Sequence, residues 1–396
     1  MKNLHLFDAL AKPETLDDPY PFYSWLREHH PVHLDPDGTV YISRYEYAVL
    51  LKDPALRDAP VDDTRSYTLR TLNQALIKAV PPRHTQLRRA GAVAFDRRLL
   101  ARAGNQARET AERLARQLAD TLARDGRADL HTAYTLPLTQ RTAAAVFGIP
   151  ARDFDLLAAL PARMFGALYP HATPAGVADA DEASRTLFAY LANAVHHRGF
   201  TRGSGFARLV DARGSLPPDE VVRLCWMLWW GSYTSALAAI DLAVLTLIER
   251  PGTITLLHRD TRAWVEEALR YRSPHIINSA NLTTRHEMSI GTTTVEAHTP
   301  VRFLLAAMNR DEAAFPQADT FDPHRTGTRH HIAFGEGIHS CIGAQLARME
   351  IATALTVLAT HLPRLALAGP PTWRPYTTQR LCHSFPVAPA TRTTDD

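Results

Sequence analysis

The chain has 396 residues, of which 45% are hydrophobic and 21% charged, and its net charge is +3 at pH 7. These values are typical of a globular protein with a large core, and they exclude a disordered, a collagen-like or a coiled-coil chain. The small net charge gives no support to nucleic-acid binding, and the three cysteines are too few for a disulfide scaffold.

The first ten residues contain neither a long apolar run nor a cleavage site of small residues, so no signal peptide is predicted. No stretch reaches the roughly 18 uninterrupted apolar residues that a membrane-spanning helix would need. We therefore expect a cytoplasmic protein that does not bind a membrane.

The predicted elements begin with a helix over residues 21–27, which is followed by a β-hairpin. The hairpin strands are residues 32–34 and 39–42, and the Asp-Pro-Asp-Gly segment between them supplies the turn. Apolar residues at helical spacing then predict four amphipathic helices, over residues 83–95, 99–125, 135–147 and 180–197.

The longest helical pattern covers residues 217–249. Ser215 is the predicted N-cap, two prolines suit the first turn, and Pro251 with Gly252 ends the helix. At about 1.5 Å per residue this helix is close to 50 Å long, which is enough to cross a whole domain.

The remaining elements are a helix near residues 263–271, a β-rich region over residues 276–305, an irregular stretch over residues 309–325 and a last helix over residues 341–361. Helices with a small amount of sheet indicate a mainly α fold with a minor β region. The absence of strand–helix alternation argues against a doubly wound nucleotide-binding fold.

The strongest chemical signal is the cysteine loop, Phe-Gly-Glu-Gly-Ile-His-Ser-Cys-Ile-Gly at residues 334–343. Its glycines permit a tight turn, and Cys341 stands at the predicted start of the last helix. There, backbone N–H groups and the positive end of the helix dipole are expected to lower the pKa of the thiol. Such a cysteine suits a single axial thiolate ligand of haem iron. The alternative is a structural cysteine on a glycine turn.

The cysteine loop matches the pattern F-G-x-G-x-H-x-C-x-G of the cytochrome P450 family at every defined position, and the sequence resembles the soluble bacterial members of that family. The resemblance implies a single haem domain over residues 1–396, without a fused reductase, in the cytochrome P450 fold. It implies that haem b (iron protoporphyrin IX) lies between the long central helix and the cysteine loop. It also implies that Cys341 binds the iron and that Phe334, Gly335 and Gly343 belong to the cofactor site.

A second motif of the same family is H-x-x-x-R, whose histidine and arginine bind the haem propionates. It is matched by His84 and Arg88, which lie one turn apart on one helical face. A guanidinium suits a carboxylate because it offers paired donors. By resemblance, His339 of the cysteine loop is the third propionate partner.

A third motif, E-x-x-R, is matched by Glu267 and Arg270. The spacing of three residues places the carboxylate and the guanidinium on the same face of a helix. By resemblance, Arg325 joins them in a buried ion-pair cluster that stabilises the haem-binding core and has no catalytic role.

The central helix departs from the family at residues 230–234, where Ala-Gly-x-acid-Thr becomes Trp-Gly-Ser-Tyr-Thr. Gly231 and Thr234 are kept, but Tyr233 replaces the acid and Trp230 replaces the alanine. Because the ordinary pKa of tyrosine is about 10, Tyr233 is a poor proton shuttle at neutral pH. We therefore expect proton delivery to use Thr234, Ser232, substrate hydroxyls and ordered water.

Trp226 and Trp230 lie one turn apart on the central helix, and Met227 lies beside them. One hypothesis makes these side chains a substrate platform over the haem, and the other makes the indoles a filling of the core between helices. The predicted substrate loops are residues 60–80 and 162–198. Their aromatic residues are Tyr67, Phe165, Tyr169 and Phe188.

Three functions are compatible with these motifs. The first is a monooxygenase that uses O2 to hydroxylate or epoxidise a specialised metabolite. The second is an oxidative cross-linking or cyclising enzyme that acts on an aromatic peptide or a cyclic dipeptide. The third is a haem protein that binds a ligand without turnover, which Thr234 and the cysteine loop disfavour. The central helix also lacks the Arg-Pro pair that peroxide-driven members of the family usually carry.

No flavin-binding or iron–sulfur-binding segment is recognised in the sequence. Electrons from NAD(P)H are therefore expected to arrive through a separate ferredoxin and ferredoxin reductase. We expect a monomer that acts on a small molecule or small peptide. An arginine cluster is the candidate surface for an acidic electron donor, unless it is only a solvated basic face. Its members are Arg88, Arg89, Arg97, Arg98 and Arg102.

Overall fold

Long helices form most of the structure, which is a computed structural model that describes residues 4–58, 60, 66–168, 172–278, 282–326, 330–374 and 378–390. The α-helices within this part of the chain are α1 (Leu6–Leu10), α2 (Pro13–Asp17), α3 (Tyr20–His29), α4 (Tyr67–Asn73), α5 (Arg83–Ala92), α6 (Arg97–Asp125), α7 (Leu136–Phe147), α8 (Phe154–Ala158), α9 (Leu160–Met164), α10 (Pro174–His197), α11 (Gly205–Asp211), α12 (Pro218–Glu249), α13 (Ile254–Arg259), α14 (Thr261–Tyr271), α15 (Leu305–Met308) and α16 (Ala344–His361).

In the described part of the chain, the strands are short and belong to four small sheets. They are β1 (Val32–Leu34), β2 (Val40–Ile42), β3 (Leu56–Asp58), β4 (Ala128–Asp129), β5 (Leu282–Thr284), β6 (Met288–Ile290), β7 (Thr293–Val295), β8 (Pro300–Phe303), β9 (Leu365–Leu367), β10 (Thr372–Trp373), β11 (Cys382–Ser384) and β12 (Pro386–Pro389). The prediction of a mainly α fold with a minor β region is therefore confirmed.

The largest sheet has the strand order β1-β2-β8-β5-β3. The predicted hairpin is its edge: β1 pairs antiparallel with β2, with Val32 opposite Ile42. β2 then pairs in parallel with β8, with Val40 opposite Val301, so the N-terminal hairpin joins the predicted β-rich region in one sheet. The smaller sheets are β4-β12-β9, β10-β11 and β6-β7.

Most predicted helices are displaced by one to three residues at one or both ends, and the starts of α10 and α12 show why. The helix expected from residue 180 begins at Pro174, where the Thr173 side chain accepts a hydrogen bond from the Gly176 N–H as an N-cap. The predicted N-cap Ser215 was wrong, because α12 begins at Pro218 and Pro217 occupies the N-cap position without a side-chain hydrogen bond. Proline suits this position, since its missing N–H would have had no partner within the helix.

Helix α12 passes through two separate hydrophobic clusters. Its first half, with Leu224, Trp226 and Trp230, packs into the cluster that α5, α7 and α10 share. Its second half, from Ala239 onwards, packs against α6, α14 and α16. α12 is long and apolar enough to cross a membrane, but 78% of its most apolar window is buried inside the protein. It is therefore a core helix, and the residues between the clusters are where a site can open beside it.

Candidate active site

The cysteine loop is shaped by two glycines in the left-handed backbone region. Gly335 has a φ of 67° and Gly337 a φ of 73°. Space also excludes a side chain at Gly337, because its Cβ would lie 2.8 Å from the Leu51 carbonyl oxygen. The loop closes where the Cys341 N–H donates to the Phe334 carbonyl oxygen at 2.9 Å. This turn presents Cys341 just before α16, whose N-cap is a glycine.

The Cys341 side chain keeps accessible surface although protein surrounds it. A side chain on the floor of a concave surface has both properties. Burial raises the pKa of the Cys341 thiol, and it outweighs the Gly343 N–H bonded to the sulfur and the charges of Arg88 and Arg348, which lower that pKa. The expectation of a lowered pKa was therefore wrong for the protein alone. The sulfur receives a helix-terminal N–H, but the surrounding protein replaces part of the water that would stabilise a thiolate.

Glu266 of α14 contacts residues on both sides of the cysteine loop in the chain, His331 before it and Arg348 after it. Its carboxylate accepts hydrogen bonds from Arg348 Nε at 2.5 Å and Nη2 at 2.9 Å, and His331 Nε2 lies 3.2 Å away. Although burial opposes ionisation, His331 and Arg348 lower the pKa of Glu266 to about 2. The Arg348 guanidinium also lies over the Phe334 ring, 4.4 Å from its centroid. This ion pair ties α14 to α16 and positions the first residue of the loop.

The adjacent carboxylate, Glu267, forms the predicted ion-pair cluster. It accepts hydrogen bonds from Arg270 Nε and Nη2, each at 2.8 Å, and from Arg325 Nε at 3.2 Å. The side chains of Glu267 and Arg270 are fully buried. Arg270 Nη1 further donates to the Asn309 carbonyl oxygen at 2.8 Å. The Asn309 side chain accepts from the Ile332 N–H at 2.8 Å, so the cluster connects to the segment that enters the cysteine loop.

Two residues of α5, His84 and Arg88, contact the cysteine loop. Arg88 Nη1 donates to the Ser340 carbonyl oxygen at 2.8 Å, and Arg88 Nη2 donates to Ser340 Oγ at 3.3 Å. The His84 ring is buried and packs edge to face on the His339 ring, with 4.9 Å between centroids. The structure therefore brings the three predicted propionate partners together at the loop.

At the α12 centre, residues 226–235, the helix runs without interruption through the predicted oxygen-binding segment. Gly231 is exposed, and nothing lies within 4 Å of the position that a Cβ would take there. The Thr234 hydroxyl is buried and has no hydrogen-bond partner among the described residues. Open space and an unpaired hydroxyl therefore lie one turn apart, between the two hydrophobic clusters.

The other two hydroxyl groups of the predicted oxygen-binding segment, residues 230–234, are engaged by the protein. The Tyr233 hydroxyl accepts a hydrogen bond from Gln140 Nε2 of α7 at 3.3 Å. Burial raises the pKa of Tyr233, against the smaller lowering effect of Gln140. Ser232 Oγ donates to the Trp229 carbonyl oxygen of its own helix at 3.0 Å. Tyr233 is therefore neutral at pH 7 and directed towards α7.

The predicted platform residues form a packed aromatic group. The rings of Trp226 and Trp230 meet with 5.0 Å between centroids, and Phe165 contacts Trp230 with 5.2 Å between centroids. Both indoles are buried, whereas Met227 is half-buried. Tyr169 lies outside the described residues. One residue of the predicted substrate loops, Phe165, thus reaches the α12 centre.

The arginine cluster divides into two parts. Four of its members are exposed, whereas Arg88 is half-buried and bonded to the cysteine loop. The nearby Asp96 caps α6 and also pairs with Arg208 at 3.1 Å. The exposed members are Arg89, Arg97, Arg98 and Arg102.

A second group of metal-ligating side chains lies in the core. Ligand atoms of His131, Asp241 and Cys382 are within 4.8 Å of one another, and all three residues are buried. Protein contacts already engage each of them: Asp241 accepts from Thr135 Oγ1 at 2.6 Å and bonds His131 Nδ1 at 2.7 Å, and Cys382 Sγ donates to the Ser384 carbonyl oxygen at 3.2 Å. Burial raises the pKa of the Cys382 thiol. This group is a closed hydrogen-bond network around a neutral thiol.

Sequence reasoning missed the support of the loop by Glu266, His331 and Arg348. The signal available was the adjacent acid pair on α14. Consecutive residues on a helix point about 100° apart, so the pair presents carboxylates in two directions. One direction was assigned to Arg270, and the other required a partner that lies 82 residues away in the chain.

Comparison with known proteins gives consistent matches. The family model described as Cytochrome P450 matches residues 261–362. Cytochrome P450 BJ-3 of Bradyrhizobium diazoefficiens is 33% identical, with 96% of this chain and 95% of that protein covered. Cyclomarin C epoxidase CymV of Salinispora arenicola is 30% identical, with 91% and 94% covered. The crystal structure of P450BioI, in complex with an acyl carrier protein ligated to hexadec-9Z-enoic acid, has 25% identity and a TM-score of 0.85, with 95% and 99% covered.

Proposed function

The chain belongs to the cytochrome P450 family, which makes it an oxidoreductase of the monooxygenase type, and we propose that it hydroxylates or epoxidises a specialised metabolite. The observation that carries this proposal is Cys341, presented before α16 beside a helix-terminal N–H and two guanidinium groups. The name of the Salinispora arenicola relative, an epoxidase, supports oxygen insertion.

The donor set fits the haem b that the family implies. Cys341 offers one sulfur ligand, and the pair His84 and Arg88 with His339 offers donors for carboxylates. Gly231 leaves open space on the helix that would face the cofactor. When bound, haem with a thiolate ligand supplies oxygen activation, because the thiolate pushes electron density that favours O–O cleavage.

The residues of the cysteine loop then have separate tasks in the proposal. Cys341 binds the iron as a thiolate, and the Gly343 N–H and the charges of Arg88 and Arg348 stabilise its negative charge. Phe334, held under Arg348, and Gly335 keep the loop in the conformation that presents the sulfur. His84, Arg88 and His339 bind the propionates.

In the α12 centre we assign the proton-holding role to Thr234. Its Oγ1 has no partner among the described residues, whereas the hydroxyls of Ser232 and Tyr233 are bonded to a helix carbonyl and to Gln140. A buried hydroxyl without a partner is available to accept one hydrogen bond and donate another. Ser232 contributes only if it leaves its helix bond, and Tyr233 contributes to packing rather than to proton transfer.

Electrons reach the proposed haem domain, residues 1–396, from NAD(P)H through a ferredoxin reductase and a ferredoxin. The exposed arginines of the cluster provide positive charge for an acidic donor. Their neighbour Arg88 donates a hydrogen bond to Ser340 of the cysteine loop. An electron-donor protein bound at the exposed arginines would therefore lie close to the proposed iron ligand. The whole reaction would take place in the cytoplasm.

Cross-linking or cyclisation of an aromatic peptide or cyclic dipeptide is the second candidate. The observation that favours it is the replacement of the family's acid by Tyr233, which is buried and bonded to Gln140. Such an oxidation would remove two hydrogens from the substrate and reduce O2 to water with two electrons and two protons. It needs the same proton delivery as oxygen insertion, so Tyr233 marks a departure from the family's oxygen-binding segment rather than a loss of proton supply.

Isotope labelling separates the two candidates. The protein is incubated with ferredoxin, reductase, NAD(P)H and 18O2 and with a panel of terpenoid, polyketide and cyclic-peptide compounds, and products are analysed by mass spectrometry. The proposal predicts a product that carries one oxygen atom from O2. A product that has lost two hydrogens without gaining labelled oxygen supports cross-linking. In Thr234→Ala, the ratio of product to NAD(P)H consumed is expected to fall, and an unchanged ratio would contradict the role of Thr234.

A further inference from the structure

Three polar hydrogens lie along one face of α12 without a partner. They belong to Trp226 Nε1, Trp230 Nε1 and Thr234 Oγ1, all buried and all without a hydrogen-bond acceptor among the described residues. Residues four apart lie on the same face of a helix, about 6 Å from each other along its axis. The three side chains, called the donor ridge below, therefore form one row.

Other buried indoles of this protein are paired. Trp229, on the same helix, donates from Nε1 to the Leu157 carbonyl oxygen at 3.2 Å, and Trp264 of α14 donates to Thr253 Oγ1 at 3.2 Å. Buried donors in folded proteins are almost always satisfied, because an unpaired one loses its hydrogen bond to water without compensation. Two neighbouring indoles and a hydroxyl left unpaired on one face therefore have room for acceptors from a bound ligand, which would take the place of ordered water.

The donor ridge lies among apolar side chains, and Gly231 of the same helix is open. Phe165 packs on Trp230, and Trp226 packs edge to face on Trp230, so the ridge stands in an aromatic wall. Gly231, next to Trp230, is exposed, and nothing lies within 4 Å of its Cβ position. A ligand that reaches Gly231 would lie within one helical turn of Trp230 and Thr234.

We propose that the donor ridge of Trp226, Trp230 and Thr234 selects substrates that carry carbonyl oxygens on an apolar skeleton, such as ketones, lactones or amides. This inference rests on the proposed function, since it places the substrate of the same enzyme at the α12 centre. An indole N–H only donates hydrogen bonds, so the ridge recognises acceptor oxygens and gives no advantage to a pure hydrocarbon. The aromatic wall binds the skeleton in either case.

The test compares matched ligands on matched variants. Dissociation constants of the haem-loaded protein are measured by calorimetry for macrocyclic ketones and lactones and for the cycloalkanes of the same ring size. Trp226→Phe and Trp230→Phe remove the N–H and keep an aromatic ring. Trp229→Phe is the control, because it removes an indole whose N–H is already paired.

The wild type is expected to bind the carbonyl compounds more tightly than the cycloalkanes. Each ridge variant is expected to lower this preference by about threefold to tenfold, the value of one neutral hydrogen bond, and Trp229→Phe is expected to preserve it. The proposal is overturned if the wild type shows no carbonyl preference, if the ridge variants keep it, or if the control loses it equally.

A second readout does not depend on the stability of the variants. The chain has six tryptophans, so 15N-labelled wild-type protein, reduced and saturated with carbon monoxide, gives an indole N–H spectrum that can be followed on titration. Two indole signals are expected to move downfield with a ketone and not with the cycloalkane. Equal movement with both ligands would contradict the inference. Failure of the proposed function is distinguishable, because it would appear as a missing thiolate-type carbon monoxide spectrum before any ligand is added, or as products without oxygen from 18O2.

Discussion

The cysteine loop and the α12 centre differ in how their polar groups are satisfied. In the loop, the Cys341 N–H bonds Phe334, Arg88 bonds Ser340, and the network behind it is charged and buried. At the α12 centre, two indole N–H groups and a hydroxyl have no partner among the described residues.

This difference indicates which part of the site is held in place by contacts within the protein and which part has polar groups left for a ligand. A loop held by hydrogen bonds to its own backbone and to α5 keeps its shape whatever substrate is present, so it suits the cofactor side of the site. A helix face with unpaired donors gains its missing bonds from a ligand or from ordered water. Under the proposal above, the α12 centre is therefore the part of the site that selects the substrate.

The largest expected effect tests the claim that internal pairing stabilises the loop side. Arg270→Ala leaves the buried carboxylate of Glu267 without its main partner, and we expect a loss of about 3–5 kcal/mol in the free energy of unfolding. Urea unfolding followed by circular dichroism measures it. Arg163→Ala is the control, because Arg163 pairs with Asp179 on the exposed surface, where an ion pair contributes at most about 1 kcal/mol. Equal losses of unfolding free energy in the two variants would contradict the claim that the buried ion pairs stabilise the loop side more than a surface pair does.

A smaller effect, of opposite sign, tests the α12 centre. Gly231→Ala adds a methyl group where nothing lies within 4 Å, and alanine is favoured over glycine in a helix interior by about 0.5–1 kcal/mol. We expect the apoprotein to become more stable by that amount while its affinity for haem or for substrate falls. Gly104→Ala in α6 is the control: its Cβ would make ordinary contact with Met349 at 3.5 Å, so stability should rise without loss of binding. If Gly231→Ala binds haem and substrate as tightly as the wild type does, the open space at Gly231 does not belong to the proposed active site.

The motifs predicted much of the fold and the loop because they encode local requirements. Gly335 and Gly337 adopt positive φ angles that few other residues tolerate, and Glu267 and Arg270 share a helical face whatever the tertiary structure. The same local reasoning failed for the thiol of Cys341. The direction of its pKa shift depends on how much protein surrounds the thiol. The sequence of the loop does not contain that information.

What could not be predicted involves partners that are distant in the chain. Gln140 meets Tyr233 from a position 93 residues earlier, and Glu266 meets Arg348 across 82 residues. The parallel pairing of β2 with β8 is of the same kind. The two hypotheses for Trp226 and Trp230, substrate platform or core filling, were equally open on spacing alone. In the described residues, the indole N–H groups of Trp226 and Trp230 have no partner, whereas that of Trp229 is hydrogen-bonded. Only this difference in the structure separates the two residues from Trp229.

The central claim is that Cys341 of the cysteine loop binds haem iron as a thiolate, and the visible spectrum of the reduced carbon monoxide complex tests it most directly. The wild type is expected to show the red-shifted Soret band of a thiolate-ligated haem. Cys341→Ala should lose this band, and Cys382→Ala, which alters only the buried thiol near Asp241, should keep it. A wild type without the band, or a Cys341→Ala protein that retains it, would contradict the account.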